Sequence, residues 1–169
     1  MWRPDFEFVQ ARPARLYGYH RRLCILSNHY RGTTEKPGLV LGLDRGGSCV
    51  GLVYDIAAIQ WRDVIAKVRA REMIGDVYTE VVKDFVDLKS GEKTRAITYV
   101  VRHDSAQFMP KASIAQTLKY IQQGQGSAGY CTDYVANTIR HLRQMGIHDK
   151  GLEVFAPHVM GGDQAATDK

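Results

Sequence analysis

Cysteine is scarce and poorly placed for bridging. Cys24, Cys49 and Cys131 are odd in number and form no Cys-x-x-Cys pair, which argues against a disulfide framework or a zinc site and fits a reducing cytosol. Long apolar runs are also missing. No stretch approaches the roughly 18 residues that a membrane span needs, and no cleavable signal is visible at the N-terminus, so cytoplasmic residence is the expectation. His20, His29, His103, His141, His148 and His158 show no metal-ligand spacing. No P-loop, G-x-S-x-G elbow or H-E-x-x-H motif occurs, so neither a phosphate cradle, a serine-hydrolase turn nor a zincin helix is written in the chain. There are no internal repeats, and the aromatic residues do not form a nucleic-acid stacking pattern.

What is present is ordinary for a globule. A chain of 169 residues suits one domain, and the hydrophobic share of 44% and charged share of 24% are typical. The net charge is +5 and the pI about 9.2. Basic residues gather early, at Arg12, Arg15, Arg21, Arg22 and Arg31. That cluster suits a nucleic acid, an anionic small substrate or merely a solvated basic face.

Residues 14–27 read as a strand. A polar loop follows to Gly38. Leu39 to Leu43 and Cys49 to Ile56 read as two strands joined by the turn signal Arg45-Gly46-Gly47, so 39–56 is expected to be a hairpin. Val77 to Leu88 and Thr94 to Val101 predict a second hairpin around Lys89-Ser90-Gly91-Glu92. Ile114, Leu118 and Ile121 mark one helix, and Tyr130 to Met145 a second that Gly146 stops. Hairpins packed with helices give an α+β domain over 1–156, with 157–169 expected to be a disordered tail.

The run from Ala57 to Ile74 predicts an amphipathic helix whose apolar positions are Trp61, Val64, Ile65 and Val68. One turn further along that stripe stands Glu72, within roughly 30° of its centre. A carboxylate there points inward, and it sits in the last turn, where the macrodipole opposes negative charge. Both effects raise a carboxyl pKa and suit general acid/base chemistry. The alternative is a helix-end glutamate that swings to solvent or pairs with Arg69 or Arg71.

Gly124-Gln125-Gly126-Ser127-Ala128-Gly129 matches G-x-G-x-x-G by letter. A dinucleotide site needs a strand before the glycines, and here a helix ends at Gln123, so that reading is rejected. Two others remain: exposed N–H groups that hold an anion, or a flexible connection between helices.

Taken in order, Gly18-Tyr19-His20-Arg21-Arg22-Leu23-Cys24, Ser27-Asn28-His29-Tyr30-Arg31-Gly32-Thr33, Lys36-Pro37-Gly38, Arg71-Glu72-Met73 and the helix around Asp133-Tyr134 resemble the ChaC-like γ-glutamylcyclotransferases, from Met1 to about Asp149. The resemblance implies a small closed or partly closed mixed β-barrel with flanking helices. It also implies cleavage of glutathione to 5-oxoproline and cysteinylglycine without metal or cofactor. The family's essential glutamate falls on Glu72, and its substrate pocket on Ser27, Arg31, Tyr78 and Tyr134. The implied partner is a small molecule, glutathione or another γ-glutamyl compound, with neither nucleic acid nor membrane. The substrate's own amine attacks its γ-carbonyl, so proximity is built into the substrate, and one carboxylate serves as base and then acid. Arg31 would steer or hold an anionic group of glutathione.

The family's Tyr-Gly-Ser-Leu segment, which carries its first strand and a substrate-binding turn, does not occur ahead of Met1-Trp2. Either the start is misassigned or the chain is genuinely short. A short chain would leave strand edges exposed and lose oxyanion donors often worth about 3 kcal/mol each. Low activity and reduced stability are expected of it. A catalytically impaired relative that binds γ-glutamyl compounds or a protein partner is therefore the competing function, and a basic nucleic-acid-binding module is a third.

Overall fold

The computed structural model describes residues 4–161. In chain order the elements are β1 (Gln10–Ser27), β2 (Gly38–Asp55), α1 (Trp61–Glu72), β3 (Tyr78–Asp87), β4 (Lys93–Val101), α2 (Ile114–Gln123), β5 (Gln125–Gly126), β6 (Gly129–Tyr130), α3 (Cys131–Gln144), α4 (Lys150–Glu153) and α5 (Ala156–Val159). The α+β class is as expected. Four strands form one sheet in the order β2-β1-β3-β4, with β5 and β6 a separate pair. The β1/β3 and β3/β4 pairs are antiparallel. A barrel closes only when its end strands pair, and among the described residues β2 and β4 do not. Of the closed or partly closed barrel expected, the closed form is absent among these residues: the four strands make an open sheet.

The hairpin expected over 39–56 is instead a single strand. Gly46 and Gly47 do adopt positive φ, at 95° and 67°, as the turn signal required. However, β2 lies beside the equally long β1, and His20 Nδ1 is 3.0 Å from the Gly46 carbonyl oxygen. Left-handed glycines inside a paired strand make a bulge, not a reversal. The β3–β4 hairpin forms as expected. Its turn is held by Asp87, whose Oδ1 accepts from the N–H groups of Lys89 (2.8 Å) and Ser90 (3.0 Å).

The chain divides into two compact units. The first comprises the described chain up to Arg21 and Gly42–Phe108; the second comprises Arg22–Leu41 and the chain from Met109. In the first unit Val64 and Val68 of α1 pack with Tyr99 of β4, joined by Phe6, Ile56 and Tyr78. Trp61, expected on that stripe, is 49% exposed: it opens the first turn, three residues before Val64, the first buried residue of α1. In the second unit a larger apolar core gathers Leu23, Leu39, Ile121, Val135, Ile139, Leu142, Leu152 and Phe155. There α2 begins with a complete capping box, Ser113 with Gln116. α3 ends in a Schellman motif: Gly146 N–H donates to Arg143 O (2.9 Å) and Ile147 N–H to Leu142 O (2.8 Å). Residues 157–161, the start of the tail expected to be disordered, continue the fold through α5, and Ala156 is buried in the core. The rest of that tail lies outside the described residues.

Candidate active site

Glu72 is the last residue of α1. The helix brings it round as the periodicity requires: Val64, Val68 and Glu72 follow at intervals of four, and the glutamate side chain is 21% exposed. It is neither loose in solvent nor alone in an apolar core. Arg71 Nε donates to its Oε1 at 3.1 Å, while Arg71 Nη1 donates to Asp5 at 2.7 Å. Of the two arginines open to it, Glu72 takes Arg71. Arg71 Nη2 is buried with no hydrogen-bond partner among the described residues.

Arg69, one turn earlier, is committed elsewhere. Its Nε and Nη2 reach the two oxygens of Glu80 on β3 at 2.8 and 2.7 Å, a forked pairing that fixes both position and orientation. Glu80 Oε2 also accepts from the Tyr99 hydroxyl at 2.8 Å. Glu80 and Tyr99 face each other across the β3–β4 pair. The Arg69 guanidinium holds the Glu80 carboxyl below its usual range, with the Tyr99 hydroxyl helping and burial opposing. Burial, and then the bond to Glu80, push the Tyr99 phenol up, and the Glu72 charge adds to the effect. Glu72 thus lies in the electrostatic neighbourhood of Tyr99. Tyr78, at the start of β3, is half-buried against the Val64–Val68–Tyr99 cluster. Tyr99, Val64 and Val68 also line a cleft of about 510 Å³ between α1 and strands β2 and β4.

The other three expected pocket residues belong to the second unit, and the structure brings them together. Ser27 is buried at the end of β1, and its Oγ accepts the Arg31 backbone N–H at 3.0 Å. The Arg31 guanidinium donates to the carbonyls of Ala128 and Tyr130 and stacks over the Tyr134 ring at 5.3 Å. Tyr134 Oη accepts the Leu41 N–H at 3.1 Å. Arg31 is thus a bonded part of the fold, not a loose loop arginine.

Glycines make this arrangement possible. A Cβ on Gly38 would lie 2.0 Å from Arg31 O; on Gly124, 2.4 Å from Arg31 O; on Gly126, 2.3 Å from His29 O; and on Gly32, 2.2 Å from Gly38 N. The stretch 124–129 is therefore neither an anion cradle nor a flexible link. It is a two-stranded turn whose N–H groups are already in use: Ser127 donates to His29 O (2.9 Å) and Ala128 to Tyr30 O (3.0 Å), while Cys131, opening α3, donates to Gly124 O (2.9 Å). The Cys131 thiol is buried against Leu39, and burial pushes its pKa up. A buried neutral thiol packs; it is a poor nucleophile.

Sequence reading missed the Arg69–Glu80–Tyr99 set. Counting from the expected turn at Lys89–Glu92 pairs Leu88 with Lys93 and so sets Glu80 opposite Val101; the observed register, with Val86 opposite Lys93, brings Glu80 to Tyr99 instead.

Among the described residues no group of histidine, cysteine, aspartate and glutamate is arranged to hold a metal ion. No helix among them is long and apolar enough to cross a membrane.

Comparison with known proteins follows the same lines. Glutathione-specific gamma-glutamylcyclotransferase 1 of Danio rerio is 23% identical over 146 residues, covering 85% of this chain and 74% of that protein. Gamma-glutamylcyclotransferase 2-3 of Arabidopsis thaliana is 27% identical over 167 residues, covering 94% and 83%. A crystal structure of a gamma-glutamyl cyclotransferase specific to glutathione from yeast superposes with a TM-score of 0.79 at 21% identity, over 93% of this chain and 90% of that one, and so shares the fold. The model of the ChaC-like proteins matches residues 1–161, and the chain belongs to that family.

Proposed function

We propose that this protein is a γ-glutamylcyclotransferase that cleaves glutathione to 5-oxoproline and cysteinylglycine, with Glu72 carrying the proton. The observation that carries this reading is the inward-turned, ion-paired Glu72 at the end of α1, in a ChaC-like chain whose curated relatives bear glutathione-specific names.

The chemistry asks little of the protein. The substrate's α-amine attacks its own γ-carbonyl, the five-membered lactam closes, and the amide bond to the cysteinyl nitrogen breaks. Cyclisation within one molecule supplies the encounter. What remains is to remove a proton from the ammonium and return one to the departing amine. A carboxylate paired with Arg71 begins as acceptor and, once protonated, becomes the donor. Tyr78 is assigned to the γ-glutamyl pocket beside it.

Ser27, Arg31 and Tyr134 are assigned to substrate binding in the second unit. Arg31 keeps a charge facing substrate carboxylates, while its bonds to Ala128 and Tyr130 set its direction. Ser27 acts at one remove, through the loop that it caps.

Incubating the purified chain with glutathione and following both products tests the proposal. Equimolar release of 5-oxoproline and cysteinylglycine is expected. A chain that binds glutathione and releases neither is the impaired binder, and the enzymatic reading then falls.

A further inference from the structure

The last turn of α1 has weak reasons to stay in place. The helix has 12 residues and no side-chain N-cap bond, and its buried residues are Val64 and Val68, both before the final turn. Met73, Ile74, Gly75 and Asp76, which follow, are exposed. Helix ends of this kind fray, yet proton transfer demands a carboxylate held to a fraction of an ångström.

The fork from Arg69 to Glu80 supplies the missing anchor. Its two bonds tie the last turn of α1 to the third pair of a nine-pair ladder, β3 with β4. The Tyr99 hydroxyl closes the network from the opposite strand, its ring 9% exposed. The network also settles a competition. Arg69 is three positions from Glu72 on the same helix, within reach of an i, i+3 ion pair. Engaged by Glu80, it leaves Arg71 as the arginine bonded to Glu72 among the described residues. The groups around Glu72 are then Arg71 with Asp5 behind it from the N-terminal segment, Tyr99 from β4, and Arg69 with Glu80 as a matched pair.

We propose that Glu80, with Arg69 and Tyr99, is the positioning device of the Glu72 carboxylate: it fixes the helix end and keeps a second arginine off the proton carrier. This rests on the reading that Glu72 moves the proton. Glu80→Gln keeps the shape of the side chain and removes its charge. It should lower kcat about tenfold with KM within about twofold. The acid limb of the kcat–pH profile should move to lower pH, because the released Arg69 then favours the ionised form of Glu72. Adding Arg69→Gln to Glu80→Gln should return that limb toward its original position, although kcat stays low. A purely structural role would move stability without moving the limb.

Tyr99→Phe removes one hydroxyl and keeps the packing, so it serves if Glu80→Gln fails to fold; a fall in kcat of about threefold is expected, with the melting curve retained. Parental kcat and an unmoved acid limb in Glu80→Gln, or parental kcat in Tyr99→Phe should the glutamine variant not fold, overturn the positioning role alone if Glu72→Gln is inactive. Parental turnover in Glu72→Gln overturns the parent reading and this one together.

Discussion

The two units of this chain solve the same problem, holding the proposed functional side chains still, by different physics. The second unit does it with space. Gly32, Gly38, Gly124 and Gly126 let backbones approach to distances at which no Cβ fits, and Arg31 is then bonded to main-chain carbonyls above a deep apolar core. The first unit does it with charge. The apolar cluster under α1 is small, and Glu72, Arg71, Asp5, Arg69 and Glu80 are arranged by forks and ion pairs. The lesson is that a site made of side-chain bonds adjusts to substitution and to pH, whereas one made of close backbone packing tolerates neither added atoms nor cavities.

Substitutions that add or remove atoms should expose the contrast most strongly. Gly38→Ala drives a methyl into the Arg31 carbonyl and should cost about 3 kcal/mol in urea unfolding. Gly46→Ala has open space around it and pays only for its left-handed backbone, about 1 kcal/mol. Equal costs would erase the distinction. The cores should differ in the same sense. Ile139→Ala empties the middle of the larger cluster and should cost about 3–4 kcal/mol, with Val64→Ala at roughly half that by the same measurement.

How much of this was legible in advance follows the same division. Periodicity of 3.6 located α1, α2 and α3 and turned Glu72 inward, because a helical stripe is a local property. The β3–β4 hairpin was equally local, marked by its turn. The β2 bulge was misread as a reversal, since whether left-handed glycines turn a chain or merely kink it depends on the partner strand beside them, and β1 is distant information. The close-approach glycines were invisible for the same reason: nothing near Gly38 in sequence announces Arg31 or Gly124. The inward Glu72 was readable, while the choice of Arg71 over Arg69 required the cross-strand register that places Glu80.

Acid should act on the charge-built unit with a definite sign. The carboxyls of Asp87 and Glu80 are held below their ordinary ranges, Asp87 first by the N–H groups of Ser90 and Lys89 and Glu80 first by Arg69. Their contribution is therefore fully present above the ordinary carboxylate range and is lost as pH falls through it toward the lowered folded values. The urea midpoint should decline from pH 6 to pH 3, and Asp87→Asn should flatten that decline. A midpoint unchanged over this range would remove these carboxylates from the stability of the unit. Arg31→Lys should have the mildest effect. A single ammonium cannot reproduce the two carbonyl bonds together with the stack on Tyr134, so KM for glutathione should rise a few-fold with kcat little changed.

The most direct test of the account is 5-oxoproline release by Glu72→Gln beside the parent chain, with folding of both verified by circular dichroism. Glutamine keeps the shape and burial of the side chain but cannot take the ammonium proton. Loss of at least about 100-fold in kcat, with the glutathione affinity retained, is the expected result. Turnover at the parental rate by a folded Glu72→Gln would contradict it.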